Sequence, residues 1–215
     1  MATKLYPLIA REGWGRLALI AVVALVLYFS VGLPAALPAL LYLIFRVYQF
    51  RDPTRSPPPV PLAVVCPIHG QISAIEEVTD PWLKRDSIAI SIRGGWLDIR
   101  SLYSPTEGKI VDQWRTEATQ SKENAIAYWI QTDEMDDVVL EIQPRVEHGP
   151  MTFRYNPGER LGQGRRVGFV NRGCNATVFL PPSSLVNVKV GAVVKASADT
   201  LATFVHLTPM AAEKE

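Results

Sequence analysis

Between Arg16 and Arg46 the chain carries no charged residue, and Leu17 to Phe45 is rich in Leu, Ala and Val. At about 1.5 Å per residue, one continuous helix of that length would overshoot the roughly 30 Å hydrocarbon core of a bilayer. Gly32, Pro34 and Pro38 interrupt the run. Proline removes a helix hydrogen bond and disfavours helix at the residue before it. The sequence therefore predicts two helices, about 14–31 and 35–50, joined at Gly32-Leu33-Pro34. Lys4, Arg11 and Arg16 flank one side, and Arg46, Arg51 and Arg55 the other. Basic flanks on both sides predict a hairpin with both ends in the cytoplasm, anchored in the cell's inner membrane. A cleaved signal peptide is not expected, because no small-residue cleavage site follows promptly. The competing reading is a buried helical hairpin of a soluble protein, where so long an uncharged run is rare.

Pro53, the run Pro57-Pro58-Pro59 and Pro61 read as a stiff, extended spacer. Beyond it the pattern changes to short alternating apolar runs broken by Gly, Pro and Asn, which is β patterning. The expected organisation is an anchoring hairpin over 1–50, a proline-rich linker over 51–62, a β domain over 63–209 and a short tail over 210–215. Candidate strands are Val64-Val65, Ser87 to Ile92, Ile110-Val111, Ala125 to Gln131, Val138 to Ile142, Thr152 to Tyr155, Arg166 to Val170, Ala176 to Leu180 and Val186 to Val190. Helix signals are nearly absent there, so the fold class is mainly β, a partly closed sandwich or barrel. An internal echo supports it. Pro67-Ile68-His69-Gly70-Gln71-Ile72 and Pro105-Thr106-Glu107-Gly108-Lys109-Ile110 share a Pro-x-x-Gly-polar-Ile frame, a tight turn entering a strand. Val190-Gly191-Ala192-Val193-Val194-Lys195-Ala196 resembles the turn of biotinyl- and lipoyl-type sandwich folds, which makes the expected domain similar to a barrel-sandwich hybrid.

Charge removes one class of function. With 22 basic and 21 acidic residues the net charge is +1, and no aromatic-basic stripe is present, so nucleic acid is not an expected partner. Two cysteines, Cys66 and Cys174, do not make a disulfide framework, and a reducing compartment is the simpler home.

The most specific stretch runs from Gly164-Arg165-Arg166-Val167-Gly168-Phe169-Val170 through Asn171-Arg172-Gly173-Cys174-Asn175 to Pro181. It resembles the processing-site segment of the short bacterial phosphatidylserine decarboxylases, in which a glycine precedes the serine that becomes a pyruvoyl group. Tyr6-Pro7-Leu8-Ile9-Ala10-Arg11-Glu12-Gly13 is similar to that family's opening. Phe50-Arg51-Asp52-Pro53 is similar to its Phe-Arg-Asp-Pro signature, and Ser121-Lys122-Glu123-Asn124 to its Ser-Glu-Glu-Asn run. With the Val188-Lys189-Val190-Gly191 turn, these motifs keep the family's order and approximate spacing. The resemblance implies an enzyme of phospholipid biosynthesis, a carboxy-lyase making phosphatidylethanolamine from phosphatidylserine at the membrane. It also implies autocatalytic cleavage between Gly173 and Cys174, and a pyruvoyl cofactor derived from Cys174. A carbanion at the serine α-carbon needs an electron sink, and no ordinary side chain supplies one.

Three positions depart from the family pattern. The first Pro-x-x-Gly turn carries His69 where the family has an aspartate. Arg100 stands where a histidine is expected, and Cys174 replaces the serine. A thiol is the better nucleophile at neutral pH. His69 has the chemistry of a general base. Arg100 stays protonated, so its available role is to stabilise a thiolate or oxyanion. Asp98 is expected on the same strand face as Arg100, within pairing reach. The non-catalytic alternative is an uncleaved pseudoenzyme, a membrane module that binds an aminophospholipid head group or regulates an active relative. Homo-oligomerisation is compatible with either. Cys66, His69 and Cys174 offer three ligands for a metal, but spacing indicates no fourth. A Cys174–His69 hydrolase would lack an oxyanion-hole signature. His148 and His206 read as surface histidines. Trp82, Trp96, Trp114 and Trp129 read as packing or membrane-edge residues.

Overall fold

The computed structural model describes residues 9–53, 55–116, 125–145, 151–171 and 173–206. Ser121 to Asn124, Arg172 and His148 lie outside the described residues, as do Tyr6 to Leu8 of the opening motif.

A 3-10 turn, Arg11–Gly13, leads into helix α1, Trp14–Val31, and helix α2, Leu33–Gln49. The break falls at Gly32, whose φ of +101° suits a residue without Cβ. Its N–H closes α1 onto the carbonyls of Leu27 and Tyr28 at 3.2 and 3.0 Å. Pro34 sits in the first turn of α2, where a missing N–H costs little. Arg11–Val31 is long and apolar enough to cross a membrane; Leu33–Gln49 is apolar but shorter. The two helices pack on each other. Their outer faces carry exposed apolar side chains, Phe29 at 77% among them.

Fourteen strands follow among the described residues: β1 Ala63–Val65, β2 Gly70–Thr79, β3 Asp86–Arg93, β4 Ser101–Tyr103, β5 Gly108–Arg115, β6 Ile126–Gln131, β7 Asp137–Pro144, β8 Met151–Phe153, β9 Arg160–Leu161, β10 Arg166–Val170, β11 Cys174–Leu180, β12 Leu185–Val186, β13 Val193–Val194 and β14 Thr200–Thr203. An eight-stranded sheet, ordered β13-β2-β3-β11-β7-β6-β5-β9, curls into a half-barrel. Two three-stranded sheets, β4-β10-β8 and β1-β14-β12, complete the domain. The mainly β reading holds.

The echo seen in the sequence is an approximate two-fold relation. Gly70 opens β2 and Gly108 opens β5, at mirrored places in the strand order. A Cβ on either would collide with a neighbouring carbonyl, that of Arg93 or Gln131. The preceding turns exchange hydrogen bonds: Val65 donates to Pro105 O at 2.7 Å, and Tyr103 to Pro67 O at 2.9 Å. Ile72, Ile90, Ile92, Ile110, Ile130, Leu140, Ile142 and Leu180 fill the concave face, each at most 1% exposed. Burying each such side chain stabilises the fold by about 1.5–3 kcal/mol. On the outer face Trp82, Trp114 and Trp129 stack with centroids 5.7 and 6.2 Å apart, a packing role.

The helical hairpin is not held at a distance by a spacer: its end is docked on the β domain. Phe50 is buried and stacks on Phe169 of β10 at 5.9 Å. Ala10 N–H donates to Phe50 O at 2.9 Å, joining the entry to α1 with the exit from α2. Below them lies a buried polar network. Asp52 meets Arg166 Nε at 3.0 Å and accepts from Tyr103 Oη at 2.8 Å. Arg166 also reaches Glu12 at 2.9 Å and Ser101 at 2.9 Å, while Arg154 holds the other Glu12 oxygen at 2.7 Å. Burial opposes the Glu12 charge, but its hydrogen bonds and these arginines outweigh it and hold the carboxyl below its ordinary value.

Candidate functional site

Strand register gathers the candidate residues at one corner. In the main sheet Arg93 of β3 faces both Gln71 of β2 and Asn175 of β11. The ends of these strands therefore set His69-Gly70, Gly94-Gly95 and Gly173-Cys174 side by side. In the smaller sheet Phe169 of β10 faces Ser101 of β4, and Val170 N–H donates to Arg100 O at 2.9 Å. That pairing brings the 98–101 segment beside the turn that leads to Gly173.

The backbone carbonyls of Gly173 and Cys174 are each held by a backbone N–H. Gly173 has φ +79°, a left-handed conformation that favours glycine, and its carbonyl accepts from Arg145 N–H at 3.2 Å. The Cys174 carbonyl accepts from Gly94 N–H at 3.2 Å. Arg145 closes the arrangement through its guanidinium, which donates to Gly94 O at 3.1 Å. Glycine at 94 is required, because a Cβ there would strike the Cys174 carbonyl. Sequence reasoning missed Arg145 and Gly94. The Gly94-Gly95 pair was the available signal, since two adjacent glycines after a strand mark a close backbone approach.

The Cys174 thiol is buried in the main apolar core, and burial pushes its pKa up to about 12. His69, on the turn entering β2, sets Nε2 3.7 Å from the Asp98 carboxylate. Its Nδ1 is buried without a hydrogen-bond partner, so the imidazole and the thiol are not bonded through that atom. Burial lowers the His69 pKa; Arg55, Arg51 and Lys195 lower it further, and Asp98 opposes them. The ring is therefore neutral at neutral pH.

Asp98 does not lie on a strand with Arg100, contrary to expectation. Residues 96–98 form a turn, which Asp98 closes by accepting from Gly95 N–H at 2.6 Å. Its carboxylate thus serves His69. Arg100 is 4% exposed, donates to the Asn171 carbonyl and lies 5.7 Å from the Phe50 ring centre. It fastens the turn ahead of Gly173.

Cys66 is also buried, and its thiol donates to Ile68 O at 2.9 Å. Both cysteines are free thiols. Among the described residues no group of three or more His, Cys, Asp or Glu comes together as a metal site. His206 pairs with Asp136 at 2.6 Å on the surface.

Comparison with known proteins shows the family. The sequence model of the family described as phosphatidylserine decarboxylase matches residues 42–202. A phosphatidylserine decarboxylase proenzyme of Nitrosomonas eutropha is 36% identical over 95% of this chain and 100% of its own. The proenzyme of Nitrosomonas europaea is 34% identical over the same shares, and that of Aromatoleum aromaticum 34% over 92% of this chain and 96% of its own. No solved structure matches. A family model covering most of the β domain, and relatives aligned almost end to end, leave one assignment: the chain belongs to the phosphatidylserine decarboxylase family.

Proposed function

We propose that this protein is a membrane-attached phosphatidylserine decarboxylase that matures by cleaving its own Gly173–Cys174 bond. The observation that carries the proposal is the backbone held at both the Gly173 and the Cys174 carbonyl, beside a neutral histidine paired with a carboxylate. The corner suits a small group built from residue 174. Gly70, Gly94 and Gly95 let the backbone close tightly around it, since a Cβ there would meet the Arg93 carbonyl, the Cys174 carbonyl and the Asp98 carboxylate, and the buried Nδ1 of His69 lacks a partner.

In this reading Asp98 holds the proton of the neutral ring on Nε2, which leaves the Nδ1 lone pair as the base. Catalytic hydrogen bonds are often incomplete before the reacting geometry forms, so the route requires the thiol to move to that lone pair. His69 takes the thiol proton as sulfur attacks the Gly173 carbonyl carbon. The C–N bond breaks, leaving a thioester to Gly173 and a free amine on Cys174. Removal of the Cys174 α-proton then expels the sulfur with Gly173 as a thiocarboxylate, leaving dehydroalanine at position 174. Water converts that residue to a pyruvoyl group and releases ammonia. A pyruvoyl group supplies an electron sink for decarboxylation. Arg100 positions the turn. Arg51, Arg55 and Lys195 give the corner a positive field for the phosphate and carboxylate of the lipid. The buried Nη1 of Arg55, without a hydrogen-bond partner, fits such an anion.

In this reading the apolar helices attach the protein to a membrane, and the flanking arginines favour the cytoplasmic side for the β domain. The test is the intact mass of the purified chain. Cleavage gives a large fragment ending at Gly173, heavier than the carboxylate form by the difference between sulfur and oxygen until the thiocarboxylate hydrolyses. The small fragment starts with a pyruvoyl group, and Cys174→Ala yields neither. An intact 23.8 kDa chain after long incubation would overturn the proposal and leave an uncleaved lipid-binding module.

A further inference from the structure

We propose that the loop from Gly94 to Asp98 is an interfacial wedge, which buries Trp96 and Leu97 among lipid head groups and holds the Gly173–Cys174 corner at that depth. The inference rests on the membrane attachment proposed above and not on the chemistry.

Trp96 is 61% exposed and Leu97 42% exposed, adjacent on a turn. The turn abuts the anchor, for the Trp96 ring lies 6.1 Å from the ring of Phe45. Phe45 precedes the end of α2 by four residues, about 6 Å along the helix axis. Trp96 therefore sits at the level of Arg46, between the apolar stretch of α2 and its basic flank. Indole favours that depth, apolar on one edge and wet on the other. The exposed apolar surface of the loop is continuous with that of the helices, so the occupant is the same bilayer. Its basic margin of Arg46 and Arg51 suits anionic lipid.

The loop is fixed at three places. Arg51 donates to Leu97 O at 3.1 Å and to Tyr48 O at 3.1 Å, tying the loop to the helix end. Asp98 closes it through Gly95 N–H. Arg145 and Cys174 hold Gly94 through both its carbonyl and its N–H. An element pinned to both the anchor and the scissile peptide transmits the depth of one to the other. The Phe50–Phe169 stack keeps the β domain from swinging away.

The experiment uses the full-length protein in vesicles of phosphatidylcholine and phosphatidylglycerol brominated near the head of the acyl chains. Emission quenching is compared for Trp14→Phe, Trp96→Phe and the double variant, against the common background of Trp82, Trp114 and Trp129. Trp14, at the start of α1, reports in Trp96→Phe whether the helices are inserted. The expected result is that Trp14→Phe is still quenched and the double variant loses that quenching. If Trp96→Phe is quenched but Trp14→Phe is no more quenched than the double variant, the wedge is overturned while the anchor stands. If neither single variant is quenched beyond the double, the membrane attachment falls and the wedge with it. Fragment masses measured on the same samples keep these outcomes separate from the cleavage chemistry.

Discussion

The pH dependence of self-cleavage, compared between the native chain and His69→Ala, reads out the assigned roles of His69 and Cys174. The thiol pKa is raised to about 12 by burial, and the imidazole pKa is lowered from its ordinary value. If His69 accepts the thiol proton during attack, the rate needs neutral imidazole and protonated thiol together. It is then flat from about pH 7 upward and falls only on acidification through the lowered histidine pKa. Without His69 the reaction must wait for free thiolate, which at pH 7 is a fraction of about 10⁻⁵ and rises tenfold per pH unit. From pH 7 to pH 9 the His69→Ala rate should climb about 100-fold while the native rate changes less than about twofold. The assay is the appearance of the fragment ending at Gly173, followed by mass after the chain is made in a form stalled at low pH. A native rate that itself rises tenfold per unit would remove His69 as the base. A flat His69→Ala profile would show that thiol ionisation does not limit the step.

Two further changes test the supports of the site. Asp52→Asn leaves Arg166 buried with one carboxylate fewer, and losing one side of a buried ion pair costs about 3–5 kcal/mol. Glu12 still pairs with Arg166, so the lower end is expected, read as a fall in Tm in detergent; an unchanged Tm would refute it. Gly94→Ala drives a methyl group into the Cys174 carbonyl, an overpacking cost of about 1–3 kcal/mol. It should slow cleavage far more than it lowers Tm. Native cleavage rates in Gly94→Ala would show that the grip on residue 174 is irrelevant.

The sequence carried the large features because each had a one-dimensional signature. Apolar length and Gly32 located both helices within two residues, and Arg166–Val170 is the strand the alternation indicated. Strand β2 was marked only by its opening turn although it has ten residues, because Ala74, Glu76 and Glu77 blur the alternation and its outer half is solvent-facing. Burial pattern there is set by the neighbouring β3 and not by the local residues. At the site, Gly173, Cys174 and His69 were nameable from motifs, but their partners were not. Asp98 joined His69 because the Gly94-Gly95 pair ended the strand early and turned the chain. Arg145 meets the processing turn only through the β7–β11 pairing, a contact across a sheet that no local pattern encodes. Asp52 was visible as part of a signature, yet its bond to Arg166 depends on helix and sheet being folded together.

Burial of the Cys174 thiol looks adverse for an enzyme, but its cost falls on one event. Relative to an ordinary thiol pKa of about 8.5, a pKa near 12 lowers the thiolate fraction at neutral pH by about 10³ to 10⁴. A maturation limited by free thiolate would stretch from about a second to about an hour, which a single-turnover step tolerates. Turnover afterwards does not carry that factor, since in the proposed route the sulfur has left with Gly173 and the mature site contains no thiol at position 174. Slow maturation and normal decarboxylation are therefore compatible in one chain. What the mature site must keep is the corner itself: the His69–Asp98 pair, the cationic rim and the glycines that allow the close backbone approach. His69 comes from the turn entering β2, Asp98 from the loop after β3, and Arg51 and Arg55 from the segment after α2, all upstream of the cut, while Lys195 lies on the smaller fragment. Strand β11, which carries the new terminus, stays paired along six residues with β3 and six with β7. The cut therefore severs the chain at a point where the sheet already holds both fragments in place.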